Sequence, residues 1–266
     1  MSRLCPQVFV ASLALASQLS AGAGLRILSV DEPPTNFTVN GKAAGLVVDV
    51  VERIEQDLGI DVPIETVPAS RAFVHLKNDA NVIAITIGRT PGREALGVHF
   101  LGPLTTRDQI VWKHKGKALE AHGADDIKRQ KLLLGSPVGD WRTQYFKDEG
   151  VMVDASASHA LDLRHLQRDL IDLCAMSDLE IPYVAREIGG SASDFEAVYV
   201  FAHATKGYIV FSSNTPDETL KRWELAFKNL QKTDFFDKTA RKWSTPESHL
   251  RYSASKGFYR ERQEAP

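Results

Sequence analysis

The sequence predicts an α/β fold built from two consecutive series of strands and helices. Three observations carry this. Val82-Ile83-Ala84-Ile85-Thr86-Ile87 is a short apolar run rich in β-branched residues, which suits a strand buried on both faces of a parallel sheet. Strand-like and helix-like segments alternate on either side of it at the spacing of βαβ units. Phe100-Leu101-Gly102-Pro103-Leu104 then breaks the rhythm, and Ile110-Val111-Trp112-Lys113 opens a second series.

In chain order, Leu25–Val30 reads as the first strand. Asp31–Phe37 is a proline-rich turn, and Asn40-Gly41 is a hairpin signal. Leu46, Val47, Val50, Val51, Ile54 and Leu58 fall at helical spacing, and Gly59 follows as a C-cap. Val62–Val67 is the second strand and Ser70–Lys77 a short helix. After the Val82–Ile87 strand, Thr90 caps a helix with Pro91 at its first position. The second series runs through a helix at Asp125–Gln130, a strand at Leu132–Leu134 and the Gly135–Asp140 turn into a helix at Trp141–Lys147. A short strand at Val151–Val153 follows. Ser158 then caps a helix to Gln167, Leu170–Met176 is a strand, and Ser177-Asp178 open a helix to Glu187. Phe195–Phe201 leads back toward the first half, and Gly207–Phe211 is a last strand. Thr215-Pro216-Asp217-Glu218 starts a helix with Leu220, Trp223, Phe227 and Leu230 on one face, and Asp234–Trp243 is another. Arg251–Pro266 lacks apolar periodicity and is expected to be an extended or frayed tail.

Composition is that of a globular protein, with 43% hydrophobic and 25% charged residues over 266 positions. A net charge of -2 gives no reason to expect nucleic acid or an anionic membrane as partner. Arg3, the apolar Val8–Ala16 and Ala21-Gly22-Ala23 have the layout of a cleaved signal peptide, with cleavage expected after Ala23 and Ala21 second. Cys5 would leave with it, so Cys174 is expected to be a lone buried thiol. The histidines show no H-x-x-x-H spacing and there is no Walker loop or G-x-G-x-x-G, so neither a metal nor a cofactor is expected.

The turn after Val82–Ile87 is the first candidate site. Ligands in open α/β sheets bind at carboxyl ends of strands, where helix N-termini also point. Thr86, Arg89 and Arg93 sit at such an edge, and a guanidinium can hold a carboxylate with two bonds. The alternative for Arg93 is a surface ion pair with Glu94. Arg71 is a second candidate, or a helix residue whose stem covers apolar surface. Asp31 and Glu32 either face a cleft or form the turn, and Phe37 and Trp141 are either stacking platforms or core. Asp178 is either an ammonium partner or an early-turn acid favoured by the helix dipole.

Several pieces, in order, resemble the bacterial family-3 extracytoplasmic binding proteins for polar amino acids. They are Asp31–Phe37 with Gly41-Lys42 and Gly45, Asp49, Leu58-Gly59, Pro68-x-x-Arg71-Ala72, Thr90-Pro91-x-Arg93-Glu94 and Gly102-Pro103-Leu104. Gly135-Ser136, Asp172, Gly207-Tyr208 and Phe236–Trp243 continue the series. The resemblance implies a type II periplasmic binding protein-like fold: two α/β lobes joined by two crossovers, with a central cleft. The expected division is a signal peptide over 1–23, lobe 1 over 24–108 plus 204–266, and lobe 2 over 109–203. It implies Arg93 as carboxylate clamp, Thr86 as a hydroxyl ligand, Phe37 as the stacked aromatic, Ser136 as a second-lobe hydroxyl and, with a one-residue shift, Asp178 as ammonium partner. Where the family often has another hydroxyl, this chain has Gly88. The function implied is capture of an amino acid or related carboxylate in the periplasm by a monomer, for delivery to an ABC permease. The rivals are a lyase of the cyclohexadienyl dehydratase kind, with Glu32 or Asp178 as acid or base, and a sensing module for a membrane receptor.

Overall fold

The computed structural model describes residues 24–261. The expected signal peptide therefore lies outside the described residues, as do the last five positions of the tail.

Lobe 1 begins with β1 (Arg26–Ser29), the small hairpin β2 (Phe37–Val39) and β3 (Lys42–Ala44), and α1 (Leu46–Leu58). β4 (Ile64–Thr66), α2 (Ala69–Asn78), β5 (Val82–Gly88) and the single turn α3 (Pro91–Glu94) follow. β1 pairs in parallel with both β4 and β5, and β5 is buried from Val82 to Ile87, as a parallel strand covered on both faces must be.

β6 (His99–His114) is one continuous 16-residue strand. The sequence suggested a break at Phe100–Leu104 with a new strand at Ile110. The chain instead continues as one strand against a long antiparallel partner, and the expected break survives only as a register shift between Leu101 and Thr105. Lobe 2 comprises α4 (Ala124–Gln130), β7 (Leu134–Pro137), α5 (Trp141–Asp148), β8 (Val153–Ser156), α6 (His159–Gln167), β9 (Leu173–Ser177) and α7 (Ile181–Glu187). The partner strand is β10 (Phe195–Phe211), which fuses the expected segments Phe195–Phe201 and Gly207–Phe211. The chain then returns to lobe 1 through α8 (Asp217–Leu230) and α9 (Phe235–Trp243).

The strand order β4-β1-β5-β10-β6-β9-β7-β8 shows the plan. Near its lobe 1 end β10 pairs with β5, near its lobe 2 end β6 pairs with β9, and the two long strands form the connection. Their register shifts between Ala202/Gln109 and Thr205/Arg107, and Ala204 there has φ +49°. Buried apolar side chains form several clusters, centred on one side or the other, with Leu179 and Tyr183 of lobe 2 packing into the lobe 1 cluster. One gathers Ile27, Val50, Ile83, Trp223 and Phe236 in lobe 1; others gather Leu163, Cys174 and Ile181, and Ile127, Phe146 and Leu173, in lobe 2. Cys174 is free and buried, as expected of a lone thiol.

Several strand boundaries in lobe 2 differ from expectation, with β7 and β8 each overlapping the expected strand by one residue, and α7 and the tail differ as well. α7 starts at Ile181 and not at Ser177, because the Ser177 N–H bonds Glu180 Oε2 (2.9 Å) and holds a non-helical turn first. Over its described residues the tail is extended and not frayed: β11 (Leu250–Ser253) and β12 (Gly257–Arg260) form a hairpin, and Phe258 is fully buried and pairs with Thr105 of β6. Among the described residues no helix is long and apolar enough to cross a membrane.

Candidate functional site

A cleft of about 1780 Å³ opens between the lobes. Lobe 1 supplies Asp31, Glu32, Phe37, Phe73, Thr86 and Arg93 to its wall, and lobe 2 supplies Val138, Asp140, Trp141, Arg142 and His159. The connecting strands form its floor through Arg107, Gln109 and Thr205. Pockets that enclose small ligands measure about 300–1,000 Å³, so this cleft is open, and a small solute would touch both walls only once they approach.

On lobe 1, Arg93 lies at the start of α3, where Thr90 Oγ1 accepts its backbone N–H (3.3 Å). Its guanidinium sits 4.2 Å over the Phe73 ring and donates to Gly88 O at 2.7 Å. Gly88 makes this possible, since a Cβ there would lie 3.1 Å from Nη1. Burial pushes the Arg93 pKa down to about 10, with only a distant Glu32 opposing it. A cation half removed from water without an acid beside it is primed for an anion. Asp31 is an acid on the same wall but an exposed residue: partial burial of its carboxyl raises its pKa, His159 and the Thr38 N–H lower it, and it has no ion-pair partner among the described residues.

Thr86 lines the cleft with φ +62°, a conformation that costs a β-branched residue about 1–3 kcal/mol. Its hydroxyl donates to Asn36 Oδ1, so toward a ligand it can accept but not donate. Phe37 is at the cleft and also meets Trp243 edge-on at 5.5 Å. Arg89 is spent on an ion pair with Glu94.

Three expected ligand groups lie elsewhere. Arg71 is on the exposed face of α2 and does not line the cleft, because Ala72 and Leu76 are the residues that face helix α2 inward. Ser136 is fully buried, and its Oγ accepts from Thr143 Oγ1 at 2.8 Å, which turns it into lobe 2. Asp178 Oδ1 accepts the Asp108 N–H at 3.0 Å; burial raises its pKa to about 6, so it is a linker between strands and not a cleft wall.

In their place stands a buried charge network that sequence reasoning missed. Arg142 is 1% exposed. Its Nε donates to Asp140 Oδ1 (2.9 Å), Nη2 to Asp140 Oδ2 (2.6 Å) and Nη1 to Glu180 Oε2 (2.7 Å). Asp140 is the N-cap of α5, and its Oδ1 also takes the Arg142 N–H. Burial alone would raise the pKa values of Asp140 and Glu180, but Arg142 and His159 outweigh it and hold both well below the carboxylate range. Glu32 reaches in from lobe 1, 2.8 Å from Arg107 Nη1 and 4.0 Å from Arg142 Nη2. Burial raises its pKa and Arg107 opposes that. Two signals could have exposed this network: Asp-x-Arg at a helix start, and the run Thr105–Gln109, polar in the middle of a strand.

His159 completes the wall. Burial and Arg142 disfavour its imidazolium, but Glu180, Asp140 and Asp162 outweigh them and raise its pKa to about 9. The charged ring is also the one that supplies a counter-charge to Asp162, whose buried oxygens have no hydrogen-bond partner and which lies 3.5 Å from Nδ1. The 2.8 Å approach of Arg142 Nη2 to His159 Nε2 needs an accepting nitrogen and must relax when the ring is charged. A group raised in this way stabilises the fold fully below its ordinary pKa of about 6.5, and that contribution is lost as pH rises through about 9. Unfolding free energy should therefore fall between those limits, and an NMR titration should place the His159 ring near the upper one. Among the described residues no group of three or more His, Cys, Asp or Glu is arranged to hold a metal ion.

Residues 25–246 match the family described as bacterial extracellular solute-binding proteins, family 3. A search of curated sequences found no match. Among solved structures, a substrate-binding protein of an ABC uptake transporter from Streptococcus pneumoniae with bound histidine superposes with TM-score 0.71 at 17% identity, covering 87% of this chain and 96% of that one. The P235GK mutant of ArgBP from T. maritima gives TM-score 0.70 at 17% identity, covering 84% and 96%. A histidine kinase sensor domain with similarity to periplasmic binding proteins gives 0.69 at 21%, covering 83% and 96%. These likenesses establish the two-lobed fold.

Proposed function

Because this chain belongs to the bacterial extracellular solute-binding proteins of family 3, we propose that it captures an amino acid or related carboxylate by shutting two lobes over it and hands it to an ABC permease. The observation that carries this reading is Arg93: a half-buried guanidinium on the cleft wall, stacked on Phe73, with one carbonyl as its hydrogen-bond acceptor. A ligand carboxylate would supply the missing counter-charge. Lobe 1 in this reading comprises 24–108 plus 204–266 and lobe 2 comprises 109–203. Bending is assigned to the register break at Ala202–Thr205, where Asp108 Oδ1 accepts the Ala204 N–H at 2.8 Å. A ligand that contacts both walls favours the shut form by its differential affinity for it.

The test is mass spectrometry of whatever the purified protein releases on denaturation, followed by calorimetric titration of that compound and small-angle scattering with and without it. Arg93→Ala is expected to weaken binding about ten- to a hundredfold, since a charge-assisted hydrogen bond is worth about 1.5–3 kcal/mol. Unchanged affinity would remove Arg93 from the site. Consumption of the compound, in place of reversible binding, would favour an enzyme on this fold.

A further inference from the structure

The cleft floor holds an acid whose position does not suit the simple part of a turn residue. Glu32 is fixed by its backbone: its N–H donates to Asn36 O (2.6 Å) and its carbonyl accepts from Thr35 N (2.9 Å). The side chain then crosses from lobe 1 to the connecting strands and lobe 2, where Oε1 stands 2.8 Å from Arg107 Nη1 and 4.0 Å from Arg142 Nη2. With 13% of its side chain exposed, Glu32 occupies that position at the expense of solvent.

The charges on the cleft can be sorted by whether the protein already satisfies them. Arg142 is saturated by Asp140 and Glu180, and Arg107 is ion-paired with Glu32 at 2.8 Å although its buried Nη1 makes no hydrogen bond. The cations of the floor thus have acids from the chain itself. Arg93 and Asp31, one of each sign, line the cleft without ion-pair partners among the described residues, as do Arg186, Glu187 and Lys206, which are exposed; of these five only Arg93 has a guanidinium half removed from water. A solute with one carboxylate and one ammonium complements Arg93 and Asp31. A second carboxylate carried to the floor would meet Glu32 and Asp140, with Arg142 already engaged and Arg107 ion-paired to Glu32. Like charges about 4 Å apart repel by several kcal/mol near a protein surface before screening.

Building on the solute-capture reading above, we propose that Glu32 is a built-in anion that restricts the cleft to solutes with a single acidic group, by filling from within the protein the position between Arg107 and Arg142 that a second ligand carboxylate would need. Arg93 holds the one carboxylate, and Asp31 receives the cationic end.

The test is calorimetric titration of the mature protein and of Glu32→Gln with the near-isosteric pairs glutamine/glutamate and asparagine/aspartate, within a thermal-shift screen of all the common amino acids and glutarate. For the wild type, glutamate and aspartate should bind at least tenfold more weakly than their amides, and glutarate should give no shift. In Glu32→Gln the amide-to-acid ratio should fall toward one, because the floor gains an unpartnered Arg107. Acids binding as tightly as amides to the wild type would overturn the proposal, and that outcome needs no variant. A ratio unchanged in a Glu32→Gln protein with native circular dichroism would overturn it too. Both of these outcomes would leave solute capture standing. Absence of binding to every compound in the screen would overturn solute capture and this inference together.

Discussion

Replacing Arg142 by alanine should destabilise the protein by about 3–5 kcal/mol, the cost of removing one partner from a buried ion pair. Three carboxylates lose contacts at once: Asp140 loses two bonds, Glu180 loses bonds of 2.7 and 3.3 Å, and Glu32 loses a guanidinium at 4.0 Å. Glu180 has no exposed side-chain surface from which to recover water. Arg142→Lys should recover little, since an ammonium cannot serve two carboxylates in the fork geometry that Asp140 and Glu180 impose. The pH dependence has a definite sign. Asp140 and Glu180 are both held below their ordinary range, so their contribution is present above the unfolded carboxylate pKa of about 4 and lost as pH falls through the folded values. The gap between wild type and Arg142→Ala, measured by urea unfolding, should accordingly be full at neutral pH and narrow in acid. A gap below about 1 kcal/mol at pH 7 would place the network in the range of exposed ion pairs. The effect on binding should be severe as well, because Asp140, Trp141 and His159 share this wall of the cleft.

The elements legible in the sequence were those whose pattern is local. Val82–Ile87 could be read as a covered strand because nearly every residue in it is apolar, and α1 and α8 because their apolar faces repeat at helical spacing. Arg93 and Thr86 could be placed at the cleft because a strand end followed by a capped helix fixes where both residues emerge. Arg142 could not, since its partners come from 33 to 38 residues away in Gln109 and Glu180 and from the turn at Asp140. Ser136 and Asp178 show the converse error. Their position along the chain was right for a ligand group, but side-chain direction is decided by Thr143 and by the Asp108 backbone, which only the packed structure brings there. Arg71 failed for a simpler reason: a ten-residue helix needs a buried face, and Ala72 and Leu76 take it.

Phe258→Ala should cost about 3–5 kcal/mol, the usual penalty for a buried phenylalanine, although it lies in a tail that has no apolar period and falls outside the 25–246 family match. Its ring is fully buried, 5.8 Å from Phe236 and 5.3 Å from Tyr252, in the main core of lobe 1. The neighbouring Gly257 has φ +70°, and a Cβ there would come within 2.2 Å of the Leu104 backbone, so the hairpin is seated directly on β6. From that seat it reaches the connecting strands: Thr106 Oγ1 donates to Lys256 O (2.6 Å) and Lys206 Nζ to Ser255 O (3.2 Å). Arg260 approaches the carbonyl of Asp178 at 3.5 Å, which ties the hairpin to lobe 2 as well. Urea unfolding of Phe258→Ala should show the full loss, while the exposed Arg251→Ala, which breaks only a surface pair with Glu261, should stay close to wild type. Equal and small effects for both would mean that the hairpin lies on lobe 1 without supporting it. A large effect for Phe258 alone makes the last strand pair part of the frame on which the two long strands bend.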